Sequence, residues 1–449
     1  MIIQDCLYWP EPTTNPTRYN LPMQFVAASV VIVLVLTAAG LAQSGANSQP
    51  QPKSVTVPIK LDHNRVVIDV EIPLRDGTMQ RVHAWVDNGN PDLYMSRRLA
   101  ELTGGTISCV GQLCSAAPPV ELNIGGMTIP LGGRIPGAGI KDAKVLAGHA
   151  PIAPGLDAEI NIPSTVLRSY DVIIDFPDHE FTIAQSGTLK FNGVKTKIIV
   201  NGSNGLIQVP SQVENKKYNL GLDLGSPISF LSEELFDKLS VVHPEWPHMI
   251  GAVGPANISG ESGELSWELM RVDRIQYGPL FFTNVAVVDT PKDRTALFEK
   301  HAGIATFGLI GANALINYRI GFDYAHSAVY FDIGRLFNFP DFDVIGLILR
   351  PEDDGRFIIV GIADFDGRPS VLQGEEGVQA GDHLVAVDGI PVPGSTLGQV
   401  WSMLGGEPGK ERVLTVERGG KTFTIAARVQ HFLGDVPDKD ESRKKFERN

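Results

Sequence analysis

The sequence predicts a mainly β chain in which two related lobes are followed by a smaller β-rich module. Three observations carry this expectation. A D-x-G-x-P pattern followed by Ser and Leu occurs twice in one register: Asp87-Asn88-Gly89-Asn90-Pro91 with Ser96 and Leu99, and Asp223-Leu224-Gly225-Ser226-Pro227 with Ser232 and Leu235. Each copy follows an apolar strand-like run, and internal repetition of this kind points to repeated structural units. Beyond Arg335 the pattern changes to a glycine-punctuated alternation, from Gly377 through Asp382-His383-Leu384-Val385-Ala386-Val387-Asp388-Gly389 to Val392.

The first lobe opens with the β-branched run Val66 to Pro73, turns at Arg75-Asp76-Gly77-Thr78 and returns through Val82 to Val86. A D-G pair between alternating strands is a hairpin signal. Asp87 then closes the returning strand, Gly89 permits a sharp turn through its access to positive φ, and Ser96 caps a short helix over Arg97 to Leu102. The second copy repeats the order, with Ser232 capping Glu233-Glu234-Leu235-Phe236. Further matches pair Leu122-Asn123-Ile124-Gly125 with Ile275-Gln276-Tyr277-Gly278, and Asp171 to Phe176 with Arg319 to Tyr324.

A formal net charge of −13, with 20% charged and 43% hydrophobic residues, describes a globular chain and argues against a nucleic-acid footprint. The apolar run Gln24 to Ala42 predicts an export signal or a single N-terminal membrane anchor. It implies a periplasmic or secreted protein, or one held at the inner membrane. A Ser-, Gln-, Asn- and Pro-rich linker follows to Lys53. Of the three cysteines, Cys109 and Cys114 are close enough in sequence either to form a disulfide or to remain thiols. The ten histidines show no metal-ligand spacing, and there is no G-x-S-x-G elbow. No metal and no cofactor are expected.

From about Val55 to Gly334 the residues resemble the aspartic protease superfamily, in particular the bacterial retropepsin-like proteins that carry both β-barrel lobes in one chain. The resemblance rests on the paired D-x-G turns and on Gly308-Leu309-Ile310-Gly311-Ala312 before Tyr318 to Asp323. It implies an aspartic endopeptidase that acts as a monomer on polypeptides, with Asp87 and Asp223 as the catalytic pair. Gly89, Gly225, Asn88, Ser226 and Gly311 would support the turns. Two carboxyls at close range share a proton, so one acts as general base on water while the other donates to the substrate carbonyl.

Two residues depart from the family pattern. Thr or Ser normally follows each catalytic Asp and braces the loops; here Asn88 can hydrogen-bond and Leu224 cannot. Ile160-Asn161-Ile162-Pro163 replaces the apolar-apolar-Gly element in lobe one. These departures keep open a second expectation, a catalytically degenerate fold that binds polypeptides in the cell envelope. Gly104 to Pro118 and Gly251 to Trp267 are candidate flaps or ordinary surface loops.

The C-terminal module resembles a PDZ domain through G-x-x-x-G-D-x-L-x-x-V-D-G, with Thr396 to Leu404 as its groove helix and Val413 to Val429 as a hairpin turned at Gly419-Gly420. The resemblance implies capture of a peptide by strand addition beside Ile345, Gly346, Leu347 and Ile348. An internal clamp against the lobes is the alternative. The expected boundaries are 1–52 for signal or anchor and linker, 53–188 and 189–336 for the lobes, 337–433 for the module and 434–449 for a solvated charged tail.

Overall fold

The structure, a computed structural model, describes residues 51–105, 107–110, 113–114, 119–132, 144–146, 152–153, 155–251, 253, 267–333, 342–365, 368–371, 374 and 376–436. The apolar run Gln24 to Ala42, most of the candidate flap Gly251 to Trp267 and parts of the candidate flap Gly104 to Pro118 lie outside these residues. Among the described residues no helix is long and apolar enough to cross a membrane. Cys109 and Cys114 are register partners on two short antiparallel strands.

The fold is mainly β. Strands Arg65–Pro73 and Met79–Asp87 form the expected hairpin, and Asp76 Oδ1 accepts from Thr78 N at 2.9 Å to close its turn. Met79–Asp87 is then flanked by the parallel strand Ile160–Pro163, which brings Pro163 opposite Asp87. Ile160–Pro163 also pairs antiparallel with Tyr94–Ser96, the strand after the Asp87 turn. The same arrangement recurs further along the chain. Lys216–Leu222 runs parallel to Gly308–Ile310, with Leu222 opposite Ile310, and Gly308–Ile310 pairs antiparallel with Ser229–Ser232. In both places a serine caps the helix that follows: Ser96 Oγ accepts from Leu99 N and Ser232 Oγ from Leu235 N. Ser and the helix-forming residues behind it are the local cause of both helix starts.

Strands Tyr170–Asp175 and Tyr318–Asp323 join these two halves by pairing antiparallel to each other. Ile173 lies opposite Gly321, its own counterpart in the sequence match. A continuous apolar core runs beneath both halves and includes the fully buried Phe176, Phe181, Phe322 and Phe331. Burial of aromatics of this size stabilises a fold by roughly 1.5–3 kcal/mol each.

The C-terminal module is a separate sheet with Leu347–Pro351 outermost, followed in order by Phe357–Ile362, His383–Val387, Glu411–Arg418 and Lys421–Arg428. Helix Leu397–Leu404 starts in a capping box, with Thr396 and Gln399 each bonding the other's backbone N–H. It buries Leu397, Val400 and Leu404 against the module's core. Asp382 of the G-x-x-x-G-D motif is buried and takes Arg418 in a two-pronged pair, Nε and Nη2 each 2.7 Å from a carboxylate oxygen. The Asp of that motif therefore holds the strand Glu411–Arg418 onto the loop before His383–Val387.

Both halves grip this module. Phe342, Val344, Phe432 and Leu433 share a buried cluster with Ile228, Trp267, Leu269 and Val288. Arg271, itself buried, donates Nη2 to Leu433 O at 2.7 Å. On the other side, Asp62 Oδ1 accepts from Gly398 N at 2.8 Å, Gly155 O accepts from Leu397 N at 2.7 Å, and His63 stacks on Trp401 with ring centroids 4.7 Å apart. The start of the expected solvated tail is tied down as well, since Asn284 hydrogen-bonds both Asp435 and Val436 N. Residues 437–449 lie outside the described residues.

A carboxylate on the first turn of a helix meets unpaired N–H groups and the positive end of the helix dipole. Asp62→Ala is therefore expected to cost about 1–2 kcal/mol of stability and to increase protease nicking between the lobes and the module. Denaturant unfolding and limited proteolysis check this, and an unchanged midpoint with an unchanged nicking rate contradicts it.

A candidate active site at two facing aspartates

Asp87 ends the strand Met79–Asp87, Asp223 follows directly on the strand Lys216–Leu222, and both are buried, at 3% and 8% exposure. Each turn closes on its own carboxylate: Gly89 N donates to Asp87 Oδ1 at 3.2 Å, while Gly225 N and Ser226 N donate to Asp223 Oδ1 at 2.8 and 3.1 Å. The two carboxyls are also set against each other's turns. A Cβ on Gly89 would stand 2.0 Å from Asp223 Cγ, and one on Gly225 would stand 2.2 Å from Asp87 Oδ1.

This corrects the expected reason for the glycines. Neither Gly89 nor Gly225 adopts positive φ. Glycine is required there because the opposite carboxylate occupies the place of a side chain. Gly311 serves in the same way behind the second turn, where a Cβ would meet Ile228 O at 2.4 Å.

The brace between the turns comes from one residue. Asn88 donates Nδ2 to Leu222 O at 2.7 Å and accepts at Oδ1 from Leu224 N at 2.8 Å. A carboxamide has both a donor and an acceptor, so Asn88 spans to the other turn through its backbone alone. Leu224 is thereby released from any bracing role, and its side chain is wholly buried in the core.

Pro163 is likewise compensated. Asn161, fully buried, accepts from Tyr94 N at 2.7 Å and donates to Asp92 O at 2.9 Å. Ser164 N donates to Asn90 O at 3.0 Å, just as Ala312 N donates to Ser226 O at 2.9 Å in the other copy. Sequence reasoning missed Asn161 and Ser164 as turn supports; their polarity inside an apolar run was the available signal.

Burial and the nearness of Asp223 push the Asp87 carboxyl well above the usual range, against opposing hydrogen bonds from Gly89 and Asn90. Burial raises Asp223 to about 6, opposed by the Gly225 and Ser226 N–H groups. Arg65, buried, interacts by charge with both Asp62 and Asp87. Two raised carboxyls that interact by charge titrate as one unit and hold a single proton between them over an intermediate pH range. A base and an acid in one site then follow without any other group. Among the described residues no cluster of three or more His, Cys, Asp or Glu side chains is arranged to hold a metal ion.

Ile345, Gly346, Leu347 and Ile348 lie in the module and do not reach the aspartates. Ile345, Leu347 and Ile348 are buried, Ile345 N donates to Leu404 O, and Gly346 O accepts from Ala363 N.

No protein-family model matches this chain, and no curated protein matches it. Among solved structures, the chain is similar to an aspartic proteinase from Irpex lacteus over 63% of its own length and 97% of that chain, at 9% sequence identity and a TM-score of 0.37.

Removing Asn88 leaves Leu222 O and Leu224 N–H without their partner in the interior. Asn88→Ala is expected to cost roughly 2–4 kcal/mol in denaturant unfolding; a loss no larger than that of an exposed substitution contradicts the brace. The Asp223 shift has the opposite consequence for stability. Below the unfolded pKa of about 3.8 the carboxyl is protonated in both states and costs nothing, while ionising the folded group at higher pH is unfavourable. Asp223→Asn is therefore expected to raise stability near neutral pH by on the order of 1–3 kcal/mol, the gain vanishing below about pH 4. Thermal midpoints measured against pH test this, and a variant less stable than the parent at pH 7 contradicts it.

Proposed function

We propose that this chain is an aspartic endopeptidase built from two duplicated retropepsin-like lobes, with Asp87 and Asp223 activating water and polarising the scissile carbonyl. The observation that carries the proposal is the reciprocal approach of the two turns, each carboxylate against the other's glycine. A buried pair of this kind opposes its own ionisation, which is the property that acid-base work on water and a carbonyl requires. The one-sided brace through Asn88 removes the main objection raised by Leu224.

The duplication reading draws support from the recurring parallel-strand arrangement and from Ile173 facing Gly321. In catalysis one carboxylate takes a proton from the attacking water. The other, protonated, donates to the carbonyl oxygen as the tetrahedral centre forms, and the proton taken from water then passes to the leaving nitrogen. The C-terminal module is read as a PDZ domain on its sheet, helix and G-x-x-x-G-D loop. Its helix is already engaged by Asp62, Gly155 and His63, which favours the clamp role over strand addition of an outside peptide. Polypeptide is the proposed substrate and an exported location the proposed setting.

The test is incubation of the full chain with a complex peptide mixture from acid to neutral pH, beside Asp87→Ala and Asp223→Ala, with new termini read by mass spectrometry. Each substitution is expected to reduce cleavage by at least about a hundredfold. Because both carboxyls are raised, the pH profile is expected to be bell-shaped and displaced upward from that of ordinary carboxyls, its acid limb near about 6. No new termini at any pH, from folded protein, would leave a polypeptide-binding protein in place of an enzyme.

A further inference from the structure

Arg65 is a buried cation beside the dyad, and strand register accounts for its place. It follows the two-residue turn His63-Asn64, in which both residues hold positive φ, at 48° and 65°. That turn joins Ser54–Asp62 to Arg65–Pro73, so Asp62 and Arg65 are register partners across it. On its other side Arg65–Pro73 pairs with Met79–Asp87. The register that sets Val67 opposite Trp85 brings Arg65, two residues further on, level with Asp87. Opposite residues of antiparallel strands share a face and lie close enough to interact. Asp62, Arg65 and Asp87 therefore form one row across three neighbouring strands.

All three members of the row are buried. Burial drives the Arg65 guanidinium below its usual value, and the charges of Asp62 and Asp87 oppose that fall. A buried cation is tolerated when anions neighbour it, and here two carboxyls share one positive charge. Asp62 is in turn committed to the module. Its Oδ1 accepts from Gly398 N at 2.8 Å, and burial, which raises its carboxyl, is opposed by Thr396, Arg65 and Gly398. The module's helix approaches closely: a Cβ on Gly398 would stand 2.2 Å from His63 N and 2.3 Å from Asp62 Oδ1. His63 stacks on Trp401, and Asn64 donates to Pro227 O at 3.3 Å, in the segment that follows the Asp223 turn. One turn thus meets the module's helix, the second lobe and, through Arg65, the dyad.

We propose that Arg65 is a positioning residue for the reaction: its charge holds the Asp87 carboxylate in place and eases its ionisation, and Asp62, fixed by the module's helix, sets how much of that charge Asp87 receives. The module then acts on the acid-base pair through the row without touching it. The catalytic part of this assignment rests on the endopeptidase reading; the charge coupling does not. The other titratable groups around the row are Asp223 facing Asp87, Tyr94 and Asp92 beyond its turn, and His63 and Asp157 beside Arg65 and Asp62. Burial and the neighbouring Arg65 lower His63 to about 3, so it stays neutral and does not compete with Arg65 as a cation.

The experiment follows the Asp87 side-chain carboxyl carbon by NMR against pH in the full chain and in Arg65→Met, Arg65→Lys and Asp62→Asn, with the pH profile of kcat/KM measured on the same proteins. The amide in Asp62→Asn keeps an oxygen to accept from Gly398 N, so the helix stays docked. Loss of the cation disfavours the ionised form of Asp87, and loss of the competing carboxylate favours it. The expected result is an Asp87 titration about one pH unit higher in Arg65→Met, near the parent in Arg65→Lys and about one pH unit lower in Asp62→Asn, with the acid limb of cleavage moving alike. Opposed shifts distinguish a charge row from a packing role, which has no reason to move the two variants in contrary directions. Should Arg65→Met not fold, the downward shift in Asp62→Asn carries the test alone. No shift in Asp62→Asn, or a shift in the same direction as in Arg65→Met, overturns the proposal. Opposed shifts in a chain that never cuts would sustain the row and refute the endopeptidase reading. Cleavage that depends on both aspartates, with an acid limb indifferent to Arg65→Met and Asp62→Asn, would do the reverse.

Discussion

Each of the two aspartate turns is shaped by the carboxylate of the other, and most of the remaining structure serves to hold them in that position. Two buried carboxyls that interact by charge repel when both ionise, so the turns cannot be kept together by the groups they display. They are kept together from behind. Parallel strands Ile160–Pro163 and Gly308–Ile310 lie against the strands that lead into the aspartate turns, and Asn88 ties its turn to the backbone on both sides of Asp223. The central pairing of Tyr170–Asp175 with Tyr318–Asp323 fixes the relation of the two halves over a longer span.

The third module extends the same logic outward. It is anchored to both halves: through Asp62 and His63 on one side, and on the other through Arg271 and the apolar cluster around Phe342 and Phe432. A module attached in this way restrains the two halves from moving apart, and it converts the space beside the Asp223 turn into a walled cavity.

The parts of this arrangement that were legible in the sequence are the local ones. The D-x-G repeat, the Asp76-Gly77 hairpin, the serine caps at Ser96 and Ser232 and the capping-box helix after Thr396 all depend on residues a few positions apart, where pattern and propensity speak directly. What escaped is of long range. The Asn88 brace joins residues more than a hundred positions apart, and the Asp62 bond to Gly398 N spans 336 positions. No periodicity encodes either.

Gly89 and Gly225 show a subtler limit: the residue type was legible, but the reason was not, because a need for space and a need for positive φ leave the same glycine in the chain. Pro163 is the complementary case. It interrupts the family-like element, yet the buried amide of Asn161 and the backbone of Ser164 secure the turn by a different set of bonds. Polar residues enclosed in apolar runs are the sequence trace of such substitutions.

The central claim is that Asp87 and Asp223 form one coupled acid-base unit. It is tested most directly by following their side-chain carboxyl carbons through a pH titration by NMR, with each assigned by its Asn variant. The account predicts two separated steps felt by both carbons, displaced upward from the ordinary carboxyl range, and a single simple titration of the remaining carboxyl once its partner is replaced. Two independent titrations near about 4, unaltered by replacing the partner, would contradict it.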